Sequence, residues 1–106
     1  MTNIKIVRNH RLQIVEVEVV EHSGYDKKGR DIVCAAISVL TQSALLGLGK
    51  HLNMQFEYKV SAGFLYLNIQ GQENDLTDAI LETMLLGLRE VAQAYTKYVR
   101  IDESGR

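Results

Sequence analysis

The chain has 106 residues, of which 46% are hydrophobic and 24% charged, and its formal net charge is -1. That length supports about one domain, spanning 1–106, and the composition is that of a globular protein, which argues against a disordered chain. The near-neutral balance offers no overall basic field for phosphate backbones or anionic lipid, so neither nucleic acid nor membrane is expected as a direct partner.

The single cysteine, Cys34, has no second thiol with which to form an internal disulfide, so a reducing compartment fits best. The opening "MTNIKIVRNH" lacks the apolar run of a signal peptide. No segment is read as approaching the roughly 20 apolar residues of a membrane span. A cytoplasmic location is the resulting expectation.

In chain order, "NIKIVRNHRLQIVEVEVV" holds two β-rich runs around a polar break at Arg8 to Arg11, which reads as a hairpin. In its second arm Val15, Val17 and Val19 alternate with Glu16 and Glu18. Leu12 and Ile14 fall in the opposite phase, which predicts a bulge or strong twist near Ile14 and a strand end near Val20. Ser23 to Arg30 has loop composition, with two glycines and adjacent lysines. A helix is predicted from about Ile32 to Leu52, capped by Asp31, which places Cys34 in its first turn. That helix is apolar over most of its circumference and needs cover on several sides, so a homodimer is inferred.

"MQFEYKV" and "GFLYLNI" read as a second hairpin, with Gly63 available for a backbone angle that other residues avoid. Asn74 or Asp75 can cap a second helix running to about Tyr95, whose apolar positions include Leu76, Ile80, Met84, Leu88 and Val91. "KYVRI" is a final short strand, followed by the polar tail "DESGR". The predicted class is α+β, a mainly antiparallel sheet packed with two helices in the order ββαββαβ.

The candidate chemistry lies in "EHSGYDKKGRDIVCAA". Cys34 has two readings. A lone cysteine among Ile32, Val33, Ala35 and Ala36 is commonly a small buried hydrophobe. A cysteine in a helix's first turn, however, feels the positive dipole end and unpaired amides, which favour thiolate. His22 would follow a strand and Cys34 would begin a helix, so both can lie at one end of the sheet, within reach for proton transfer. Taken alone, His22 reads more readily as an exposed strand-end histidine. His10 and His51 read as solvated surface. A zinc site of Cys34, His22 and Asp31 lacks CxxC or HxxxH spacing. "GLG" at Gly47 to Gly49 is a helix ending without a Walker lysine. Neither a metal nor a cofactor is expected.

"GRDIVCAAISVL" preceded by a histidine resembles the bacterial ribosomal-processing cysteine protease family, often called Prp. "SAGFLYLNI" and "ETMLLGLREVAQAYTKYVRI" are similar to the family's second hairpin and its closing helix and strand, so the likeness runs from about Ile14 to Ile101. The resemblance implies Cys34 as nucleophile and His22 as general base and acid. It gives supporting roles to Asp31 as helix cap, to Ser38 one turn after the thiol, and to Gly24 and Gly29 as loop hinges. The implied substrate is the N-terminal extension of a large-subunit ribosomal protein precursor, an extended segment with hydrophobic and aromatic residues near the scissile bond. The implied assembly is a homodimer. Glu21 and Ser23 stand where the family commonly has glycine and alanine beside the histidine. Amides at the start of the helix are expected to stabilise the oxyanion of an acyl transfer. The alternatives are a noncatalytic ribosome-assembly factor that binds the same extended peptide, and a redox-sensing thiol.

Overall fold

The computed structural model describes residues 1–21 and 28–105, with the backbone alone for 28–31. His22 and Gly24 lie outside the described residues, as do Ser23 and the rest of the segment up to Lys27. The elements are β1 (Thr2–Arg8), β2 (Ile14–Glu21), α1 (Lys28–Leu46), a π turn (Gly47–His51), β3 (Glu57–Ser61), β4 (Phe64–Asn68), α2 (Asp75–Ala94) and β5 (Val99–Gly105). This is the expected α+β order. The five strands form one mixed sheet in the order β3-β4-β2-β1-β5, antiparallel except where β5 runs parallel to β1.

The phase change in β2 has the predicted cause. Val7 pairs with Glu16 and Arg8 with Ile14, so Val15 is an extra residue in β2 and the ladder shifts there. The shift lets Ile14 join Val17 and Val19 in the core despite their opposite phases, and Val15 is buried as well. One continuous core unites Ile4 and Ile6 of β1, Leu65 and Leu67 of β4, Val33, Ile37 and Ala44 of α1, and Leu81, Leu85 and Leu88 of α2. Both helices therefore share one side of the sheet. They approach closely where a Cβ on Gly87 would come within 2.8 Å of the Leu40 side chain.

Asn74, not Asp75, caps α2. Its side-chain oxygen accepts from the amides of Leu76 and Thr77 at 2.9 Å each, and the Thr77 hydroxyl accepts in return from the Asn74 amide. Of the apolar positions expected on α2, Met84 and Leu88 are buried, whereas Leu76 points to solvent. Gly63 adopts φ +71° in the turn between β3 and β4, as anticipated.

Several expectations are corrected. The first helix begins at Lys28, a full turn before Ile32, so residues 28–30 of the expected loop are helical. Lysine and arginine are good helix formers, and the strongly apolar helix that follows extends back through them. Asp31 accordingly lies inside α1 and is not its N-cap, because a cap residue precedes the helical backbone. Gly29 is likewise the helix's second residue, not a hinge in a loop.

The fourth correction concerns the polar tail, of which Asp102 to Gly105 belong to β5. Their composition hid a strand held by parallel pairing to β1 and by ion pairs. The reading of membrane spans is also revised, since Ile32–His51 is long and apolar enough to cross a membrane. In the fold this segment lays Val33, Ile37, Thr41, Ala44 and Leu48 against the sheet.

Candidate active site

Cys34 is the seventh residue of α1 and is half-buried. The unpaired amides of an α-helix belong to its first four residues and the dipole's influence fades within the first turn. Those residues are 28–31, so the thiol lies beyond the helix's opening turn and the expected oxyanion role for the amides beside it is withdrawn. What α1 supplies is a fixed direction. Residues three and four apart share a helix flank, and Cys34, Ser38, Gln42 and Leu45 follow one another by four, four and three.

That flank faces the β3–β4 hairpin. A narrow cleft of about 40 Å³ is lined by Ile37, Ser38 and Thr41 of α1, by Val60, Ser61, Gly63 and Phe64 of the hairpin, and by Glu21 at the end of β2. Ser38 therefore shares the cleft with the residue directly before His22. Thr41, fully buried, satisfies its hydroxyl by donating to the Ile37 carbonyl at 2.8 Å. That bond keeps a polar group inside without a desolvation cost.

The end of β2 is firmly placed. The Glu21 amide donates to the Gly63 carbonyl at 2.9 Å, and Glu21 also pairs with Thr2 in the β1 ladder. Among the described non-glycine residues only Leu12 and Asn53 have positive φ, so glutamate stands at position 21 without backbone strain. The glycine common in the family is not needed for the strand's end to reach this point. Gly63 is the residue that bears the unusual angle, and a Cβ there would come to 3.6 Å from the Glu21 side chain.

The cleft opens into a larger trough. Gln42 and Val60 line both, and beyond them Leu45, Leu46 and Gly49 face Met54, Phe56 and Tyr58 across about 630 Å³. The rings of Phe56 and Tyr58 lie 5.3 Å apart, tilted by 44°. Sequence reasoning missed this wall. Its signals were the helical row leading from Cys34 and the apolar alternation of Phe56, Tyr58 and Val60. Among the described residues no group of His, Cys, Asp and Glu has metal-binding geometry.

Residues 1–100 match the profile of the family described as cysteine protease Prp. The chain belongs to that family. It is 26% identical over 105 residues to the ribosomal processing cysteine protease Prp of Staphylococcus aureus, an alignment covering 96% of this chain and 98% of the relative. It superposes on the S. aureus Prp crystal structure with a substrate peptide at a TM-score of 0.88 and 21% identity, covering 97% of this chain and 99% of that one. For the same protease with a covalently linked product peptide the TM-score is 0.77 at 22% identity, with the same coverage of both chains. The protein is thus a cysteine protease of the Prp family, and the ββαββαβ mixed sheet is that family's fold.

Proposed function

We propose that this protease removes the N-terminal extension of a large-subunit ribosomal protein precursor, through an acyl-enzyme on Cys34 with His22 as general base and acid. The reading rests chiefly on the family match across residues 1–100, which spans the one cysteine of the chain. The S. aureus relative has been solved with a substrate peptide and with a covalently linked product peptide, which favours covalent catalysis here. Cys34 precedes Ser38 by one helical turn and His22 follows Glu21 in the sequence, and Ser38 and Glu21 both line the cleft, which supports the pairing.

In this scheme His22 takes the thiol proton and the thiolate adds to the scissile carbonyl. As the carbon–nitrogen bond breaks, the imidazolium returns the proton to the departing amine and leaves a thioester. Water, deprotonated by His22, then adds to the thioester carbonyl; the carbon–sulfur bond breaks, the new C-terminus leaves, and the imidazolium returns its proton to the Cys34 sulfur. Ser38, one turn from the thiol, borders the substrate beside it.

The exposed face of α1 supports a homodimer. Ile32, Val39 and Leu46 recur at seven-residue spacing and are 61%, 65% and 54% exposed. A second copy laid on that stripe would remove its apolar surface from water. The cytoplasm, where unassembled ribosomal proteins are met, is the proposed compartment.

Mass spectrometry of a ribosomal protein precursor after incubation with the enzyme tests the activity. Loss of the extension's mass is expected with wild type. Cys34→Ala and His22→Ala should each lower turnover by at least about a thousandfold, with thermal unfolding unchanged. Unaltered processing by either variant would end the proposal, and binding of the precursor without cleavage by wild type would favour a noncatalytic assembly factor.

A further inference from the structure

The trough between α1 and β3 has two walls that run side by side. Ser38 and Gln42 stand opposite Val60 and Ser61, and Leu45, Leu46 and Gly49 stand opposite Phe56 and Tyr58. Among the described residues β3 is also an edge strand, hydrogen-bonded only to β4, with all five of its residues exposed. An edge of this kind has unpaired backbone groups on its outer side and can accept an extended chain. Tyr58 is 60% exposed and Val60 44%, so two large apolar side chains face water on the flank that leads from the thiol.

We propose that this trough is the part of the substrate site that reads a bulky apolar side chain four to six residues from the scissile bond. The proposal rests on the protease reading above. Distance along the two walls sets the position. At 1.5 Å per helical residue, Leu45 lies roughly 16 Å from Cys34 along α1, and an extended peptide covers that span in about five residues at roughly 3.3 Å each. The site's shape sets the side chain. Beside Ser38, Glu21 and Gly63 the cleft is only about 40 Å³, suited to backbone and small groups, and it widens to about 630 Å³ between Leu45, Met54, Phe56 and Tyr58. A wide compartment with aliphatic and aromatic walls selects bulk and lack of charge. Its continuity with the cleft, through Gln42 and Val60, argues for the substrate as occupant over a second protomer, for which the stripe on the outer face of α1 is available.

The test uses the full-length enzyme and a series of labelled dodecapeptides with six residues on each side of a known bond. In these, a single Leu or Phe is replaced in turn by Lys at each position from one to six residues on either side. Cleavage is followed by kcat/KM and binding by fluorescence anisotropy. In wild type, Lys at a position four to six residues from the bond on one side should lower kcat/KM by roughly tenfold or more. In Tyr58→Glu, at an exposed position of the trough alone, that preference should shrink or reverse for that position alone, while peptides trimmed to the three residues on each side of the bond are cut as by wild type. Val60→Glu, which also lines the narrow cleft, should shift the preference and lower cleavage of the trimmed peptides too. An unchanged Leu-to-Lys ratio in both variants would overturn the proposal. So would a shift from dimer to monomer with the ratio unchanged, which would assign the trough to a second copy. Position-selective binding that Tyr58→Glu abolishes, with no cleavage by wild type, would sustain the trough and sink the protease reading. Cleavage indifferent to Tyr58 and Val60 would do the reverse.

Discussion

The two edges of the sheet are built from opposite materials. At the β5 edge, Arg8 of β1 pairs with Glu82 of α2 and, at 3.4 Å, with Glu103 of β5, and Glu103 also accepts from Arg89 of α2 at 2.7 Å. The Glu82 carboxylate raises the Arg8 guanidinium further above its ordinary value, and the Arg89 hydrogen bond holds the Glu103 carboxyl below the usual range. At the β3 edge, Tyr58 and Val60 leave apolar surface open to water beside an aliphatic helix flank. An edge covered by charges resists pairing with other chains, whereas a bare one invites it. The charged edge stabilises the fold, and the apolar one has the character of a binding surface.

Mutations on each side separate these roles. The largest effect on stability is expected from Leu85→Ala, in the core that both edges flank, which should cost about 2–5 kcal/mol in chemical denaturation. Gly63→Ala should cost about 1–2 kcal/mol, because φ +71° is unfavourable for alanine. It should also lower cleavage, since the turn adjoins Glu21 and the narrow cleft.

Glu103→Gln should lose about 0.3–1 kcal/mol near neutral pH, the range of a partly exposed ion pair. Its sign with pH follows from the depressed carboxyl. The stabilisation is fully present above the unfolded-state value near 4.3 and is lost as pH falls through the lower folded value. Urea midpoints measured from pH 6 down to pH 2 should therefore converge for wild type and variant at the acid end. Smallest of all should be the stability change of Tyr58→Glu and Val60→Glu, within about 0.5 kcal/mol, although these are the variants expected to alter peptide preference. A large loss of stability there, or of cleavage in Glu103→Gln, would break the contrast between the edges.

Much of the architecture was legible because local patterns agree with it. The β2 phase change announced its bulge at Ile14 and Val15, and Asn74 with Thr77 announced the start of α2. The start of α1 was misread because glycine, lysine and arginine suggest a loop in isolation, while an adjoining apolar helix makes continuation favourable. The β5 extension escaped notice for a related reason. Asp102, Glu103 and Ser104 carry no strand signal, and their ladder partners Lys5, Ile6 and Val7, like Arg8 which pairs with Glu103, are far away in sequence.

What the sequence by itself determined is the set of elements, their order and the family, and it supplied the thiol and imidazole proposed for the chemistry. Each of these is written in local periodicity or in a short run of residues. Tertiary structure alone decided which flank of α1 meets the hairpin, and that one sheet edge is tied down by ion pairs while the other presents apolar side chains to water. Those outcomes depend on pairings between residues dozens of positions apart, and no local pattern encodes where a closed chain brings them together.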